Sequence, residues 1–153
     1  MSKYIHKSHN VSVLMYHIVC PVKYRKCIFD KKVEEELKNI CLEIAMRYEI
    51  DFLEIGVDND HVHFLVQVIP IYSPKMITQT IKSIIAREIF KRIPEVKKKL
   101  WGGAFWTNGY YISTVGKYGN ENVISKYVKN QALDDHYKIL HKDMSKLGQL
   151  NLF

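Results

Sequence analysis

The stretch of sequence that decides the fold is residues 50–69, which read IDFLEIGVDNDHVHFLVQVI. Residues 50–57 and 61–69 are two short runs rich in apolar and β-branched side chains, a composition that is typical of strands. Between them, residues 58–60 (Asp-Asn-Asp) are a turn signal. The sequence therefore predicts a β-hairpin in the middle of the chain.

The second strand of this hairpin begins with His61-Val62-His63. Alternate residues of a strand point to the same face, so the two imidazoles are expected on one face, about 6–7 Å apart along the backbone. The apolar residues at positions 62, 64, 66 and 68 point to the opposite face. The pair is therefore predicted to be open to a ligand, although an isolated His-x-His is often only a pair of solvated side chains.

Two further segments have the composition of strands. They are residues 11–22 (VSVLMYHIVCPV) and residues 109–115 (GYYISTV). One lies before the central hairpin and the other after it, with a helix expected in each interval. The resulting order, β-α-β-β-α-β, predicts a ferredoxin-like α+β fold, in which two helices cover one face of an antiparallel sheet. A C-terminal helix follows.

The helices are predicted from their start signals and their periodicity. Asp30 can cap the first helix, and Ser73-Pro74 can start the second. Apolar residues at helical spacing follow each signal, and Pro94 is expected to end the second helix. Asn120 can cap the last helix. Residues after about 133 show only weak helical periodicity.

Composition limits the class of protein. The 153 residues are enough for one domain, expected to span residues 1–153. Lys and Arg number 23 against 16 Asp and Glu, and the net charge of +7 together with 12% aromatic residues suits a nucleic-acid partner. Three cysteines without a C-x-x-C pair exclude a disulfide framework and a cysteine zinc site. Without an apolar signal region or a membrane-spanning stretch, a cytoplasmic location and no membrane partner are expected.

The histidine pair needs a further ligand, because two histidines alone bind a hard cation poorly. His136 and His141 are possible partners, but they lie in the weakly patterned tail. Tyr127 and Gln131 are one helical turn apart, so they share a face of the last predicted helix. A tyrosine beside an amide oxygen could put a nucleophile next to a metal-bound phosphate. From the spacing alone, however, a packing role for Tyr127 in the core is the preferred interpretation, because most helical tyrosines are packing residues.

Four segments, taken together, resemble the single-tyrosine HUH transposases (TnpA type) of the smallest bacterial and archaeal insertion sequences. HUH denotes histidine, a bulky hydrophobic residue and histidine, as at residues 61–63 here. The segments follow the family's order along the chain, and no catalytic position departs from the family pattern. They are residues 16–29 (YHIVCPVKYRKCIF), 58–70 (DNDHVHFLVQVIP), 100–116 (LWGGAFWTNGYYISTVG) and 122–131 (NVISKYVKNQ).

The resemblance implies an activity and roles for the site residues. It implies that His61, His63 and Gln131 hold one divalent ion, Mg²⁺ with Mn²⁺ able to substitute, and that Tyr127 is the nucleophile. It also implies metal-dependent cleavage and rejoining of single-stranded DNA at insertion-sequence ends through a 5′-phosphotyrosine, with recognition of a DNA hairpin by a homodimer. No ATP is expected, and the chain has no G-x-x-x-x-G-K-[ST] loop.

The residues that would hold the DNA are less clearly indicated. Each lysine taken singly is more often a solvated surface charge than a phosphate contact. Three aromatic residues near position 100, Trp101, Phe105 and Trp106, could stack on unpaired bases or cover the edge of the core, and the core is the preferred interpretation. The basic candidates are Lys23, Arg25, Lys26, Arg87, Lys91, Arg92, Lys97, Lys98 and Lys99.

Two other classes of function remain open. The first keeps the nuclease chemistry in another biological role, either a domesticated relative that acts on repeated palindromes or a relaxase or replication initiator. Relaxases and initiators are usually longer, so the compact chain argues against them. A non-catalytic ferredoxin-like module could instead bind RNA or single-stranded DNA. The aromatic pattern expected on the sheet of such a module, K/R-G-F/Y-G/A-F-V-x-F/Y, does not occur in the sequence.

Overall fold

The protein has the predicted α+β architecture in a computed structural model that describes residues 5–7, 10–115 and 137–143. Strands β1 (Ile5–Lys7) and β2 (Asn10–Ser12) form a small antiparallel pair. The remaining strands form one antiparallel sheet in the order β6-β3-β5-β4-β7. These strands are β3 (Leu14–Pro21), β4 (Asp51–Asp58), β5 (His61–Val68), β6 (Tyr111–Val115) and β7 (Lys138–Lys142).

The central hairpin is confirmed. β4 and β5 pair in register from Asp58 opposite His61 to Asp51 opposite Gln67, with one irregularity between Phe52 and Glu54. β5 pairs on its other side with β3, so the histidine strand is the middle strand of five. The order β6-β3-β5-β4 is that of a ferredoxin-like sheet, and β7 extends it along the edge of β4.

The first long helix, α1 (Lys31–Tyr48), starts where the sequence predicts. The carboxylate of Asp30 accepts a hydrogen bond from the backbone N–H of Val33 at 2.9 Å, which satisfies one of the donors that a helix start leaves without a partner. Apolar residues then recur at helical spacing and form the buried face. They are Val33, Leu37, Ile40, Cys41 and Ile44.

The second long helix, α2 (Pro74–Arg92), starts at the predicted cap, where Ser73 Oγ accepts from the backbone N–H of Met76 at 3.1 Å. Five isoleucines form its buried stripe. The helix ends at Arg92, which confirms the predicted end before Pro94. The physical reason is that proline has no N–H for an intrahelical bond. After this end the chain starts a short helix, α3 (Pro94–Lys99), which has Pro94 in its first turn.

The two faces of the sheet differ. Both long helices pack on one face, where they enclose the main core, including Ile18, Phe64 and Ile81. The opposite face carries a small apolar cluster of Met15, Leu53, Leu65 and Val115. The histidines of β5 lie on that second face, which leaves them outside the main core.

Three expectations need correction. The first strand was expected over residues 11–22, but the sheet strand begins at Leu14, and residues 10–12 belong to the small β1–β2 pair. The fourth strand begins at Tyr111 rather than at residue 109. The tail was expected to be weakly helical, yet residues 138–142 form β7, because pairing with β4 supplies hydrogen bonds that no local pattern reveals.

The last predicted helix, with Asn120, Tyr127 and Gln131, lies outside the described residues, and so does His136. Within the described part of the chain, none of the helices combines the length and the hydrophobicity needed to cross a bilayer.

Candidate active site

The two histidines of the His-x-His motif converge on the face of the sheet opposite the long helices. The ring centroids of His61 and His63 are 4.8 Å apart, with the ring planes tilted by 56°. His63 lies on the middle strand and is only 7% exposed, whereas His61 is the first residue of that strand. The shared face agrees with the strand geometry expected from the sequence, but His63 is buried and not open as the sequence predicted.

His61 is held by the acidic turn before it. Its Nδ1 lies 2.8 Å from Asp60 Oδ1, and its Nε2 lies 3.7 Å from Asp58 Oδ2. Arg25 in turn makes a two-pronged contact with Asp60, with Nε at 2.8 Å from one oxygen and a terminal nitrogen at 3.1 Å from the other. Burial alone would raise the pKa of Asp60, but the hydrogen bonds from Arg25 and His61 outweigh it and lower that pKa. Asp60 is therefore a carboxylate at neutral pH and fixes the orientation of His61.

A third histidine, His17 on β3, belongs to this cluster, although the sequence pattern did not identify it as a site residue. Its Nε2 lies 3.3 Å from Nδ1 of His63, and the two rings are stacked with their centroids 5.5 Å apart. Burial lowers the pKa of His17 to about 4, so this ring is neutral at neutral pH. Its position in the strand-like run next to Tyr16 was the available signal, but only the β3–β5 pairing shows that it faces His63.

Tyr137, just before the edge strand β7, also reaches the histidine face. Its ring meets His63 edge to face with centroids 5.4 Å apart, and its hydroxyl donates to Glu54 Oε2 at 3.4 Å. The ring crosses β4 at Gly56, where a β-carbon would collide with the tyrosine hydroxyl and ring. A glycine at this position is therefore what allows Tyr137 to lie against the sheet.

Burial raises the pKa of Glu54, with Lys142 and the Tyr137 hydrogen bond acting in the opposite direction. Glu54 is 2% exposed, and its second oxygen lies 3.9 Å from Lys142 Nζ. The histidine face thus carries a buried carboxyl group and a phenol beside His63.

A complete metal site is not formed by the described residues alone: they contain no group of three histidine, cysteine or acidic side chains that could hold an ion. The predicted third ligand Gln131 and the predicted nucleophile Tyr127 lie outside the described residues. His141, the other histidine considered, lies on β7 opposite Ile55, a residue of the helix-side core. It therefore belongs to the face away from the histidine pair.

The basic residues named from the sequence fall into three groups. Arg92 binds the carboxylates of Glu36, Glu43 and Glu88 at 2.8–3.1 Å, which joins α1 to α2 on the helix side of the sheet. The other two groups are on the surface. Arg87 and Lys91 are exposed on α2, whereas Lys23, Arg25, Lys26, Lys97, Lys98 and Lys99 belong to the loop after β3 and to α3.

The three aromatic residues near position 100 differ from one another. Phe105 and Trp106 are 1% and 5% exposed and belong to the core, as preferred from the sequence. Trp101 is 68% exposed, so the core interpretation is wrong for it. The reason is backbone geometry: Trp101 has φ = +54°, which turns it out of α3 and away from the packed layer.

Comparisons with known proteins define the class. A crystal structure of a Deinococcus radiodurans protein described as a transposase has a TM-score of 0.67 with this chain, at 28% identity, and covers 83% of this chain and 97% of the other. The ISDra2 transposase TnpA of Deinococcus radiodurans is 34% identical over 118 residues, 77% of this chain and 84% of the relative. The transposase for insertion sequence element IS200 of Salmonella typhimurium is 29% identical over 120 residues, 78% of each chain.

The fold and these relatives indicate a DNA-processing enzyme of the transposase class. The family model described as "Transposase IS200 like" matches residues 10–131, and the chain belongs to that family. It is therefore a DNA transposase of an insertion sequence, as the resemblance noted in the sequence implies.

Proposed function

We propose that this transposase is an HUH endonuclease and strand transferase of the cytoplasm, which cleaves and rejoins single-stranded DNA at the ends of its insertion sequence. Tyr127 is the nucleophile, and His61, His63 and Gln131 hold one divalent ion, Mg²⁺ or, in substitution, Mn²⁺. The observation that carries the proposal is the convergence of the His61 and His63 rings, 4.8 Å apart, on the face of the sheet opposite the long helices.

The residues present suit a divalent ion. Imidazole nitrogens with an amide oxygen form a neutral set of donors, compatible with a cation that keeps some of its waters and binds a phosphate oxygen. When bound, such an ion acts as a Lewis acid on the scissile phosphate.

Two neighbours orient the imidazoles. Asp60 accepts the Nδ1 proton of His61 at 2.8 Å, which presents Nε2 of that ring as the binding nitrogen. His17 Nε2 lies 3.3 Å from Nδ1 of His63, so it can accept a proton from that nitrogen and leave Nε2 of His63 for the ion. Oriented imidazoles bind metal ions more tightly than rings that must be ordered first.

The covalent step is a phosphoryl transfer to tyrosine. Tyr127 Oη attacks the phosphorus and loses its proton, the bond from phosphorus to the 3′-oxygen breaks, and that oxygen leaves as a 3′-hydroxyl. The other DNA end stays on the enzyme as a 5′-phosphotyrosine. Because the phosphodiester energy is kept, attack by a 3′-hydroxyl can rejoin DNA without ATP. An ordinary tyrosine has a pKa of about 10, so the phenol needs help in losing its proton.

The DNA partner is proposed to be a single strand with a hairpin near the element's ends. The net charge of +7 favours binding to phosphates, and the basic residues after β3 and on α3 lie at the surface. Excision needs two cleavages, whereas each chain offers one proposed nucleophile, so the active species is proposed to be a homodimer.

The test is denaturing electrophoresis of the protein mixed with labelled single-stranded DNA from the sequence that flanks its gene, with and without Mg²⁺. We expect a covalent adduct that requires the metal, is lost in His61→Ala and is lost in Tyr127→Phe. Hairpin binding without any adduct would contradict the proposal and would favour a non-catalytic binding module. An adduct formed on repeated palindromes but not on the flanking ends would favour a domesticated nuclease.

A further inference from the structure

Tyr24 and Trp101 form an exposed aromatic pair in the two loops that follow β3 and α3. Tyr24 is 55% exposed and Trp101 is 68% exposed, yet their rings meet edge to face with centroids 4.9 Å apart. The residues come from different parts of the fold: one follows β3, and the other follows α3. Two large aromatic side chains held against each other in solvent bury little apolar surface, so core packing does not explain them.

The backbone holds both rings in an unfavourable conformation. Tyr24 has φ = +62° and Trp101 has φ = +54°, in the left-handed region that bulky residues rarely adopt. Arg25, next to Tyr24, also has a positive φ of 53°. Strain of this kind persists where the surrounding structure imposes it, and it is concentrated at binding sites.

The loops that carry the pair are fixed at several points. The backbone N–H of Lys23 donates to Phe105 O at 2.8 Å, which joins the two loops directly. The N–H of Trp101 donates to Lys98 O at 3.0 Å, and that of the following Gly102 donates to the carbonyl of residue 97 at 2.8 Å. The aromatic pair is therefore a preorganised surface, which a ligand does not have to order.

Positive charge surrounds the pair. Lys26 Nζ lies 4.6 Å from the centre of the Trp101 ring, and Lys23 Nζ lies 5.6 Å from the centre of the Tyr24 ring. Three more exposed lysines come just before Trp101, at positions 97–99 of α3. Aromatic faces flanked by cations are the combination with which proteins bind the bases and phosphates of single strands.

The pair is connected to the proposed metal site through Arg25. This arginine adjoins Tyr24 in the chain and binds Asp60, which holds His61 at 2.8 Å. β3 ends at Pro21, which pairs with His61, so the loop that carries Tyr24 leaves the sheet at the end where the proposed metal site lies.

Resting on the proposed function, we infer that Tyr24 and Trp101 form a stacking platform for an unpaired nucleotide of the single-stranded DNA, with Lys23 and Lys26 contacting its phosphates. The platform would hold the single-stranded part of the substrate next to the hairpin while the phosphate lies at the histidines. Both aromatic residues act by positioning the strand.

The experiment measures the affinity of the full chain for a hairpin DNA with a labelled single-stranded tail, by fluorescence anisotropy at low and at high salt. The variants are Trp101→Ala, Tyr24→Ala and Trp101→Phe, with Met46→Ala as control. Met46 is 88% exposed on α1, on the helix side of the sheet. A second DNA with an abasic site in the tail tests whether a base is what Trp101 contacts.

We expect Trp101→Ala and Tyr24→Ala each to weaken tail binding by about five-fold or more. A five-fold loss of affinity is the lower end of the range for removing one base–aromatic stack. Trp101→Phe should recover part of the loss, and Met46→Ala should bind like the wild type. The loss should remain at high salt, because stacking is screened less than phosphate contacts. The DNA with the abasic site lacks the stacked base, so Trp101→Ala should not lower the affinity for that DNA any further.

Adduct formation by the same proteins separates this inference from the proposed function. A wild type that forms the adduct, with Trp101→Ala and Tyr24→Ala binding unchanged, would overturn the platform and leave the nuclease in place. A wild type that forms no adduct, with tail binding still dependent on Trp101, would support the platform and overturn the nuclease. A wild type without adduct or tail binding would overturn both.

Discussion

Nε2 of His17 on β3 lies 3.3 Å from Nδ1 of His63 on β5, and the two rings stack at an angle of 17°. A hydrogen bond between these two nitrogens requires a proton on one of them. If Nε2 of His63 binds the ion, Nδ1 of that ring carries the proton and His17 accepts it. His17 would then set the tautomer of a metal ligand without touching the metal itself.

The first prediction concerns this contact. His17→Ala should raise the Mg²⁺ concentration needed for half-maximal adduct formation by about ten-fold or more, the range found when partners of metal-binding histidines are removed. His17→Gln should recover part of the lost Mg²⁺ affinity, because the glutamine amide oxygen can accept the same proton. The measurement is adduct yield against Mg²⁺ and against Mn²⁺.

A structural role for His17 would give a different result. If His17→Ala lowered the adduct yield equally at every metal concentration, the side chain would act on folding or on DNA binding instead. A thermal unfolding curve for each variant serves as the control.

The second prediction identifies the nucleophile. Tyr127→Phe should abolish the covalent adduct while hairpin affinity stays within a few-fold. Tyr137→Phe is the matched control, because its hydroxyl also reaches the histidine face but donates to Glu54 at 3.4 Å. It should keep the adduct, and a loss in Tyr137→Phe with retention in Tyr127→Phe would assign the attack to Tyr137.

The elements that the sequence predicted well are those with local causes. The hairpin follows from two strand-like apolar runs around an acidic turn. The two long helices follow from the capping side chains of Asp30 and Ser73, both of which accept the expected backbone hydrogen bond. The convergence of His61 and His63 follows from the two-residue period of a strand.

The features that the sequence did not reveal depend on distant partners. His17 and His63 are 46 residues apart, and Tyr137 and Glu54 are 83 residues apart, so only the strand order brings each pair together. β7 is a strand because β4 offers it an edge, and not because of its own periodicity. The exposure of Trp101 depends on a positive φ that periodicity does not indicate.

The third prediction concerns the proposed third ligand. Gln131→Ala should shift the metal dependence of adduct formation to higher concentration, because two imidazoles alone bind Mg²⁺ weakly. Ser125→Ala is the matched control, because it also removes a neutral polar group from the predicted helix. Residues two apart on a helix do not face each other, so Ser125 is expected to point away from Tyr127. An unchanged Mg²⁺ curve for Gln131→Ala would exclude the ligand role.

The fourth prediction tests the packing of Tyr137 on β4. Gly56→Ala places a methyl group where the Tyr137 ring lies, so the ring must move, and we expect the free energy of unfolding to fall by about 1–3 kcal/mol, as in overpacked cores. Gly109→Ala is the control, since a β-carbon there meets nothing within 4 Å. Urea unfolding measures both variants.

The same pair gives an internal check. In a Tyr137→Ala background the collision is gone, so adding Gly56→Ala should cost much less than it does in the wild type. Equal costs in the two backgrounds would show that Tyr137 does not lie over Gly56.

The last prediction concerns the buried carboxyl group of Glu54. Burial raises its pKa above the ordinary value of 4.5, so in the pH range between the two values the folded protein binds more protons at this site than the unfolded protein does. The free energy of unfolding contributed by this group must then fall as the pH rises through that range, and the loss is complete above the folded-state pKa.

Glu54→Gln keeps the shape and removes the titration, so the variant should gain stability relative to the wild type as the pH rises from about 4.5 towards neutrality. Urea unfolding of both proteins across this range measures the difference, with Glu95→Gln, an exposed residue of α3, as control. Identical pH slopes for the wild type and Glu54→Gln would mean that Lys142 at 3.9 Å and the Tyr137 hydroxyl fully compensate the burial of the carboxylate.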